Sequence, residues 1–273
     1  MKTILIPTDF SETSKNASQF GVDFAVANGI TKIVFYHHYQ TKVVYTPTGA
    51  LDEYASVEPH RDKSIEDLND FIDSLGEIPK GIETEMYQGA PTVHEGVEEI
   101  SKIVNADLII MGIKGGGVFK ETIFGSHTLR IAKKLETPVL VVPATAKYVK
   151  FSKITLLSDL KDVVESTPVD KIDQILFQKD LKLTILNVVF KEKQAKAEHP
   201  EKEKLEFLLK KFSPEFHYKL SDHFTDGILD YTHDHDVDVL VIIPKHHNII
   251  EAIFSGHTEK LAFHTKVPLL IIH

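Results

Sequence analysis

The sequence predicts an α/β protein of two tandem domains, each a five-stranded, parallel, doubly wound sheet of the Rossmann-like type. Three observations support this fold class. Short, almost continuously apolar segments alternate with segments that have helical spacing, which is typical of a parallel sheet covered by helices on both faces. The chain has 273 residues, enough for two domains that each bury a core. The two halves also repeat each other.

The repeat is clearest at the end of each half. ADLIIMG is followed by a loop and IFGSHTLRIAKKLETPVLVVP, while VDVLVIIP is followed by a loop and IFSGHTEKLAFHTKVPLLIIH. The starts also match, KTILIPTDF with SKITLLSDL, and this aligns Asp9 with Asp159. A repeat of this length indicates a duplicated domain and not a short-period solenoid. We predict domains at residues 1–146 and 151–273.

Periodicity and end signals predict the individual elements. Ser11 is a suitable N-cap and Gly29 a suitable terminator for the first helix. The segment 40–60 is expected to be irregular. In the first half we predict strands at 4–8, 32–38, 82–88, 107–112 and 138–143, and helices at 11–28, 62–75, 92–104 and after residue 125. In the second half we predict strands near Lys153, Leu181, Phe216, Asp238 and Val267.

Composition excludes several classes of protein. The net charge is −9 with acidic and basic residues interspersed, which argues against non-specific binding to nucleic acid. There is no cysteine, hence no disulfide framework and no thiolate site. No apolar run approaches the roughly 20 residues of a membrane helix, and Met1 leads directly into a predicted strand without a signal peptide. We expect a cytoplasmic protein with neither a membrane nor a nucleic acid as partner.

The loops after the first and fourth strands are the predicted functional site, because doubly wound sheets bind ligands where the strand order reverses. Glycines at 112, 115, 116 and 117 allow backbone N–H groups to approach an anion. Gly125 and Ser126 open a helix, whose free N–H groups favour phosphate. Asp9, at the tip of the first strand, is placed to accept hydrogen bonds from a ribose or an adenine. The pattern therefore favours a nucleotide with a polyphosphate.

Other interpretations of these residues stay open or are excluded. A Walker motif and a G-x-G-x-x-G after the first strand are both missing. The glycines at 115–117 could form only a flexible loop, and Asp9 could simply cap the first helix. Lys114 and Lys120 could contact phosphate or be solvated. The neighbouring histidines at 37–38 and 246–247 would point to opposite faces of a strand, so we predict no metal site there.

The spacing of these glycines resembles a known family motif. Gly112, two residues, Gly115, nine residues and Gly125-Ser126 match G-x2-G-x9-G-[ST] of the ATP-binding branch of the universal stress protein family. PTDFSET and TPVLVVP resemble the same family. The resemblance implies that ATP contacts two sets of residues. The adenosine would contact Pro7, Thr8, Asp9, His38 and Met111. The phosphates would contact Gly112, Gly115, Gly125, Ser126 and His127. His38 departs from the small aliphatic residue that is usual at its position.

The second half lacks this motif. Ile243-Pro244-Lys245-His246-His247-Asn248 occupies the place of the glycine loop, and Ser255-Gly256 replaces Gly-Ser. Proline has no N–H to offer an anion. We therefore expect one nucleotide site per chain, in the first domain.

The resemblance implies an ATP-binding regulatory protein of the stress response that is not primarily an enzyme. A slow ATPase that uses the same site and a nucleotide-free scaffold are the alternatives, and an accompanying Mg²⁺ ion is left open. The resemblance also implies that Val139–Val142 pairs antiparallel with Leu269–Ile272, which makes the chain a pseudo-two-fold dimer within itself. A protein partner and a further homodimer through another surface are not specified by the sequence.

Overall fold

The computed structural model describes residues 1–39, 53–89, 92–113, 134–176, 180–191, 200–244 and 265–273, together with Thr128, Ile131 and Ala132. Over residues 53–60 it describes the backbone alone.

The elements of the first half alternate between strand and helix, as predicted. The strands are β1 (Thr3–Thr8), β2 (Lys32–His37), β3 (Glu83–Gln88), β4 (Leu108–Ile113) and β5 (Val139–Pro143), and the helices are α1 (Glu12–Asn28), α2 (Glu53–Asp73) and α3 (Val93–Ile103). Thr128, Ile131, Ala132 and Lys134 are also helical. Ser11 caps α1 by accepting a hydrogen bond from Ser14 N, and Gly29 ends it in the left-handed conformation.

The second half follows the same order. Its strands are β6 (Lys153–Leu157), β7 (Lys182–Val189), β8 (Glu215–Leu220), β9 (Val239–Ile242) and β10 (Leu269–Ile271). Its helices are α4 (Val163–Ser166), α5 (Val169–Ile175), α6 (Pro200–Leu208) and α7 (Phe224–Asp234), with a 3₁₀ turn at Lys210–Phe212.

All these strands form one sheet in the order β3-β2-β1-β4-β5-β10-β9-β6-β7-β8. Neighbouring strands are parallel except for β5 and β10, which pair antiparallel with Val141 opposite Leu269 and Val139 opposite Ile271. Equivalent strands of the repeat follow in the same order from each edge of the sheet, β3-β2-β1-β4-β5 from one edge and β8-β7-β6-β9-β10 from the other. The predicted fold class and the pseudo-two-fold arrangement are therefore confirmed.

Alternating residues of the strands enter two hydrophobic layers, one on each face of the sheet. Ile4 and Ile6 of β1 pack in one layer with Phe20 and Phe24 of α1. Leu5 packs in the opposite layer, which contains buried residues of α3. Each layer contains buried residues of both halves. Helices thus cover both faces, as a doubly wound sheet requires.

An aspartate makes the same contact at the start of each half. Asp107 Oδ2 accepts hydrogen bonds from the amides of Lys2 at 2.6 Å and Thr3 at 3.0 Å. Asp238 Oδ2 accepts hydrogen bonds from the amides of Ser152 at 2.7 Å and Lys153 at 2.8 Å. The repeat seen in the sequence therefore extends to individual hydrogen bonds.

Two elements differ from the prediction. Helix α2 begins at Glu53, so the expectation of irregular chain is wrong for residues 53–60, while residues 40–52 lie outside the described residues. Pro59 removes one backbone donor without ending the helix. In the second half the counterpart of α1 is divided into α4 and α5, because Thr167 precedes Pro168 and is extended, with φ −94° and ψ 109°.

No helix in the described part of the chain is both long and apolar enough to cross a membrane.

Candidate functional site

The candidate site lies at the carboxyl end of β1, between β2 and β4. The β1–β2 ladder runs to Thr8 and His37. On the other side, within the part of the chain that the structure describes, the β1–β4 ladder ends at Leu5 and Ile109. Because β1 is held to β2 over its full length but to β4 only near its start, a crevice can open between the ends of β1 and β4, as expected where strand order reverses.

A tight turn connects β1 to α1. Phe10 adopts a left-handed conformation with φ 62°. The Oδ1 atom of Asp9 accepts hydrogen bonds from Ser11 N at 3.1 Å and Ser11 Oγ at 2.6 Å, and Thr8 Oγ1 accepts one from Phe10 N at 3.0 Å. Asp9 is exposed. One of its oxygens therefore shapes the turn while the carboxylate remains accessible to a ligand.

The Thr8 side chain is used within the protein. It is 6% exposed, and its hydroxyl donates to Ser14 Oγ at 3.0 Å. Pro7 and Met111 are buried as well. A ligand in the crevice would therefore meet the backbone of these three residues more readily than their side chains.

His37 lies against the turn. Its Nδ1 is 2.9 Å from the carbonyl oxygen of Thr8, and its ring stacks on that of Phe10 with centroids 4.1 Å apart and an interplanar angle of 28°. Because a carbonyl only accepts hydrogen bonds, Nδ1 must carry the hydrogen. Burial lowers the pKa of His37, and the hydrogen bond to Thr8 opposes this in part.

The predicted site residue is His38 and not His37. His38 follows the end of β2, and its Nδ1 lies 3.4 Å from the carbonyl oxygen of Gly89. It therefore lies on the β3 side of β2, away from the turn. The Thr8–His37 register shows which of the two histidines reaches β1, and this register cannot be read from two adjacent histidines in a sequence.

Gly112 allows a close approach between β4 and α1. A Cβ atom on Gly112 would lie 2.7 Å from the carbonyl oxygen of Thr13 and 2.9 Å from its Cγ2. Any other residue would push the first turn of α1 away from β4. The carbonyl of Gly112 also accepts a hydrogen bond from Thr128 Oγ1 at 3.0 Å.

The remaining predicted residues, Gly115, Gly125, Ser126 and His127, lie outside the described residues. Their contact with phosphate therefore stays a prediction. Within the described ranges, no group of three or more histidine, cysteine, aspartate or glutamate residues could hold a metal ion.

Comparison with known proteins identifies the family. The family model described as "Universal stress protein family" matches residues 1–143, just over half of the chain. The chain belongs to the universal stress protein family.

Individual relatives support this assignment. The chain is 30% identical over 146 residues to a universal stress protein of Methanocaldococcus jannaschii, covering 54% of this chain and 84% of that protein. It is 26% identical over 144 residues to a universal stress protein of Mycobacterium tuberculosis, covering 52% of this chain and 48% of that protein. The chain thus spans only about half the length of the mycobacterial relative.

Two solved structures share the fold over nearly the whole chain. A universal stress protein from Archaeoglobus fulgidus aligns with a TM-score of 0.67 at 18% identity, over 99% of this chain and 97% of that one. A putative universal stress protein from Pseudomonas aeruginosa aligns with a TM-score of 0.61 at 12% identity, over 100% of this chain and 93% of that one. The fold of the second half is therefore also shared with proteins of this family.

In this universal stress protein the second half keeps the turn after its first strand. Leu160 is left-handed with φ 52°. The amide of Leu160 donates to Ser158 Oγ at 3.1 Å, and the amide of Lys161 donates to Asp159 Oδ1 at 3.2 Å. These bonds match those of Thr8 and Asp9. Since the second half has lost the glycine motif, the turn has a structural role that does not depend on that motif.

The second half differs at the end of its fourth strand. Alignment of Asp107 with Asp238 places Ile243 opposite Gly112, and Ile243 is buried. Ile243 has a side chain at the position where Gly112 has none. Pro244 follows, while Lys245, His246, His247, Asn248, Ser255 and Gly256 lie outside the described residues.

Proposed function

We propose that the first half binds one adenine nucleotide, ATP, and that the protein regulates a stress response through this occupancy. The observation that carries the proposal is the end of the β1–β4 ladder at Leu5 and Ile109, with the exposed carboxylate of Asp9 beyond the end of β1. Gly112, near the end of β4, begins a glycine-rich segment whose spacing matches the ATP-binding branch of the family.

The chemistry assigned to each side of the crevice differs. Asp9 has an exposed carboxylate that can accept hydrogen bonds from ribose hydroxyls or from an adenine amino group. Gly115 to Gly117 can bring backbone N–H groups to the phosphates, and the helix that the sequence predicts after Gly125-Ser126 would add favourable helix-dipole energy of about 0.3–2 kcal/mol. The nucleoside therefore lies towards β1, and the phosphates lie towards the loop after β4.

The second half is proposed to bind no ATP. Ile243 fills the position of Gly112, and Pro244 has no N–H to donate. The retained turn at Asp159 provides a carboxylate without the backbone donors for phosphate. A protein partner that senses the occupied first half completes the proposed function.

Mass spectrometry of nucleotide released from the purified, denatured protein tests the proposal. ATP in amounts comparable to the protein supports a binding protein, while ADP favours a slow ATPase at the same site. Protein that carries no nucleotide and takes up none from added Mg²⁺-ATP would contradict the proposal and favour a nucleotide-free scaffold. Gly115→Val should lose the nucleotide, whereas Gly81→Val, in a turn where a Cβ meets nothing within 4 Å, should keep it.

A further inference from the structure

The same carbonyl group is held by a side chain in both halves. In the first half His37 Nδ1 donates to the carbonyl of Thr8 at 2.9 Å. In the second half Asn187 Nδ2 donates to the carbonyl of Ser158 at 2.8 Å. The ladders place His37 opposite Thr8, and they pair the residues immediately before Ser158 and Asn187. Two unlike side chains at equivalent positions thus perform the same task.

We propose that His37 is a positioning residue for the nucleotide, acting through the Thr8–Asp9 peptide. This inference rests on the proposed function. The peptide bond is planar and trans, so the carbonyl of Thr8 and the amide of Asp9 point in opposite directions. Because His37 holds the carbonyl towards β2, the amide of Asp9 is directed towards the β4 side, beyond the point where the β1–β4 ladder ends. The Asp9 backbone is therefore aimed at the ligand by a residue that does not need to touch it.

A second contact of His37 holds the next residue. Phe10 has a left-handed φ of 62°, a conformation that is unfavourable for a residue with a Cβ. Its ring stacks on His37, with centroids 4.1 Å apart. The counterpart Leu160 is also left-handed but has no aromatic ring to stack. The turn in the half with the proposed site thus has a ring contact that a leucine cannot make in the other half.

Burial keeps the His37 ring in the form that this task needs. Burial lowers its pKa, and His38, Asp67 and Asp9 are the neighbouring ionisable groups that influence it. A neutral ring with its hydrogen on Nδ1 leaves Nε2 as an acceptor. The hydrogen bond to Thr8 is thus made without placing a positive charge beside the turn.

The chain itself provides the test variants. His37→Asn introduces the side chain that the second half uses, and we expect ATP affinity within about threefold of wild type because the donor is retained. His37→Leu removes the hydrogen-bond donor. We expect ATP affinity to fall about tenfold or more, as for a hydrogen bond lost from a positioned group. Asn187→Leu removes the equivalent bond in the second half and should leave ATP affinity unchanged.

Calorimetric titration with Mg²⁺-ATP gives these affinities, and urea unfolding gives the stability of each variant. Wild-type affinity in His37→Leu, or an equal loss in Asn187→Leu, would overturn the inference. If His37→Leu does not fold, Phe10→Leu replaces it, since this variant copies Leu160 and keeps the hydrogen bond while it removes the stack. We expect a loss of about threefold for Phe10→Leu, and unchanged affinity would count against the stacking part.

Nuclear magnetic resonance separates this inference from the proposed function. Long-range ¹H–¹⁵N spectra should show the hydrogen of His37 on Nδ1 near neutral pH, with or without nucleotide. A hydrogen on Nε2 would contradict the positioning role even if ATP binds. A wild-type chain that shows the Nδ1 tautomer but binds no ATP would contradict the proposed function instead.

Discussion

Gly112 and Thr13 are so close that no side chain fits between them. A Cβ atom on Gly112 would lie 2.7 Å from the Thr13 carbonyl oxygen, which belongs to the first turn of α1. The contact joins the end of β4 to the helix that follows β1, and so it fixes how close these two elements lie. In the family motif this glycine begins the phosphate loop. Here it also has a packing role that is independent of any ligand.

Gly112→Ala should therefore destabilise the fold even without nucleotide. The added methyl group must displace backbone, and overpacking of this kind costs about 1–3 kcal/mol. Urea unfolding measures the loss. Gly81→Ala is the control, because its Cβ would meet nothing within 4 Å, and it should change stability by less than about 0.5 kcal/mol. Equal stability of the two variants would show that Thr13 moves away without cost.

The glycines beyond the end of β4 should behave differently. Gly115→Val is expected to abolish ATP binding with little effect on stability, because the added methyl groups occupy space needed by phosphate. Gly125→Asp should do the same, because its negative charge would repel phosphate at the helix start that the sequence predicts there. Calorimetry on both variants checks this, with Gly81→Val as the matched control. Wild-type affinity in either variant would remove that residue from the site.

The stability of the protein should respond to pH through His37. The folded protein has a pKa of His37 below the ordinary value of 6.5, because burial disfavours the charged ring. The unfolded chain then binds more protons than the folded chain. The contribution of the neutral His37 ring to stability is therefore present above about pH 6.5 and is lost as the pH falls towards the folded pKa. We expect His37→Asn to show a smaller loss of stability than wild type between pH 7.5 and 5. An equal loss of unfolding free energy in the two proteins over this pH range would contradict this.

Pairing between β5 and β10 should be required for the two halves to stay together. Val141 is fully buried between Met111 of β4 and Leu269 of β10. Val141→Pro removes a ladder donor from a central strand, so its cost should exceed the about 1 kcal/mol of an ordinary substitution and expose apolar surface. Urea unfolding and binding of a hydrophobic dye measure both effects. Val141→Ala keeps the backbone amide and should bind less dye than Val141→Pro. Wild-type stability and dye binding in Val141→Pro would contradict the requirement for this pairing.

The sequence predicts well those features that are local. Ser11 caps α1 and Gly29 ends it, because capping depends on a few adjacent residues. The β5–β10 pairing is not local, and it follows from the family resemblance and the apolar character of both terminal strands. The start of α2 at Glu53 was missed, since Pro59 within the helix and weak periodicity conceal it.

The features that depend on register and tertiary distance could not be predicted. The sequence does not show which of His37 and His38 faces β1, and only the β1–β2 ladder shows that His37 reaches Thr8. The packing role of Gly112 depends on its distance to Thr13, which no motif encodes. The comparison of the two halves supplies the missing signal, because Asn187 and Ile243 stand where His37 and Gly112 stand in the first half.

The number of ATP molecules bound per chain tests the central claim most directly. Purified protein freed of endogenous nucleotide is titrated with Mg²⁺-ATP by calorimetry, and the complex is weighed by native mass spectrometry. We predict one ATP per chain, lost in Gly115→Val and retained in Asn187→Leu. Two equivalent sites per chain would contradict the assignment of the second half as degenerate, and no binding at all would contradict the nucleotide site itself.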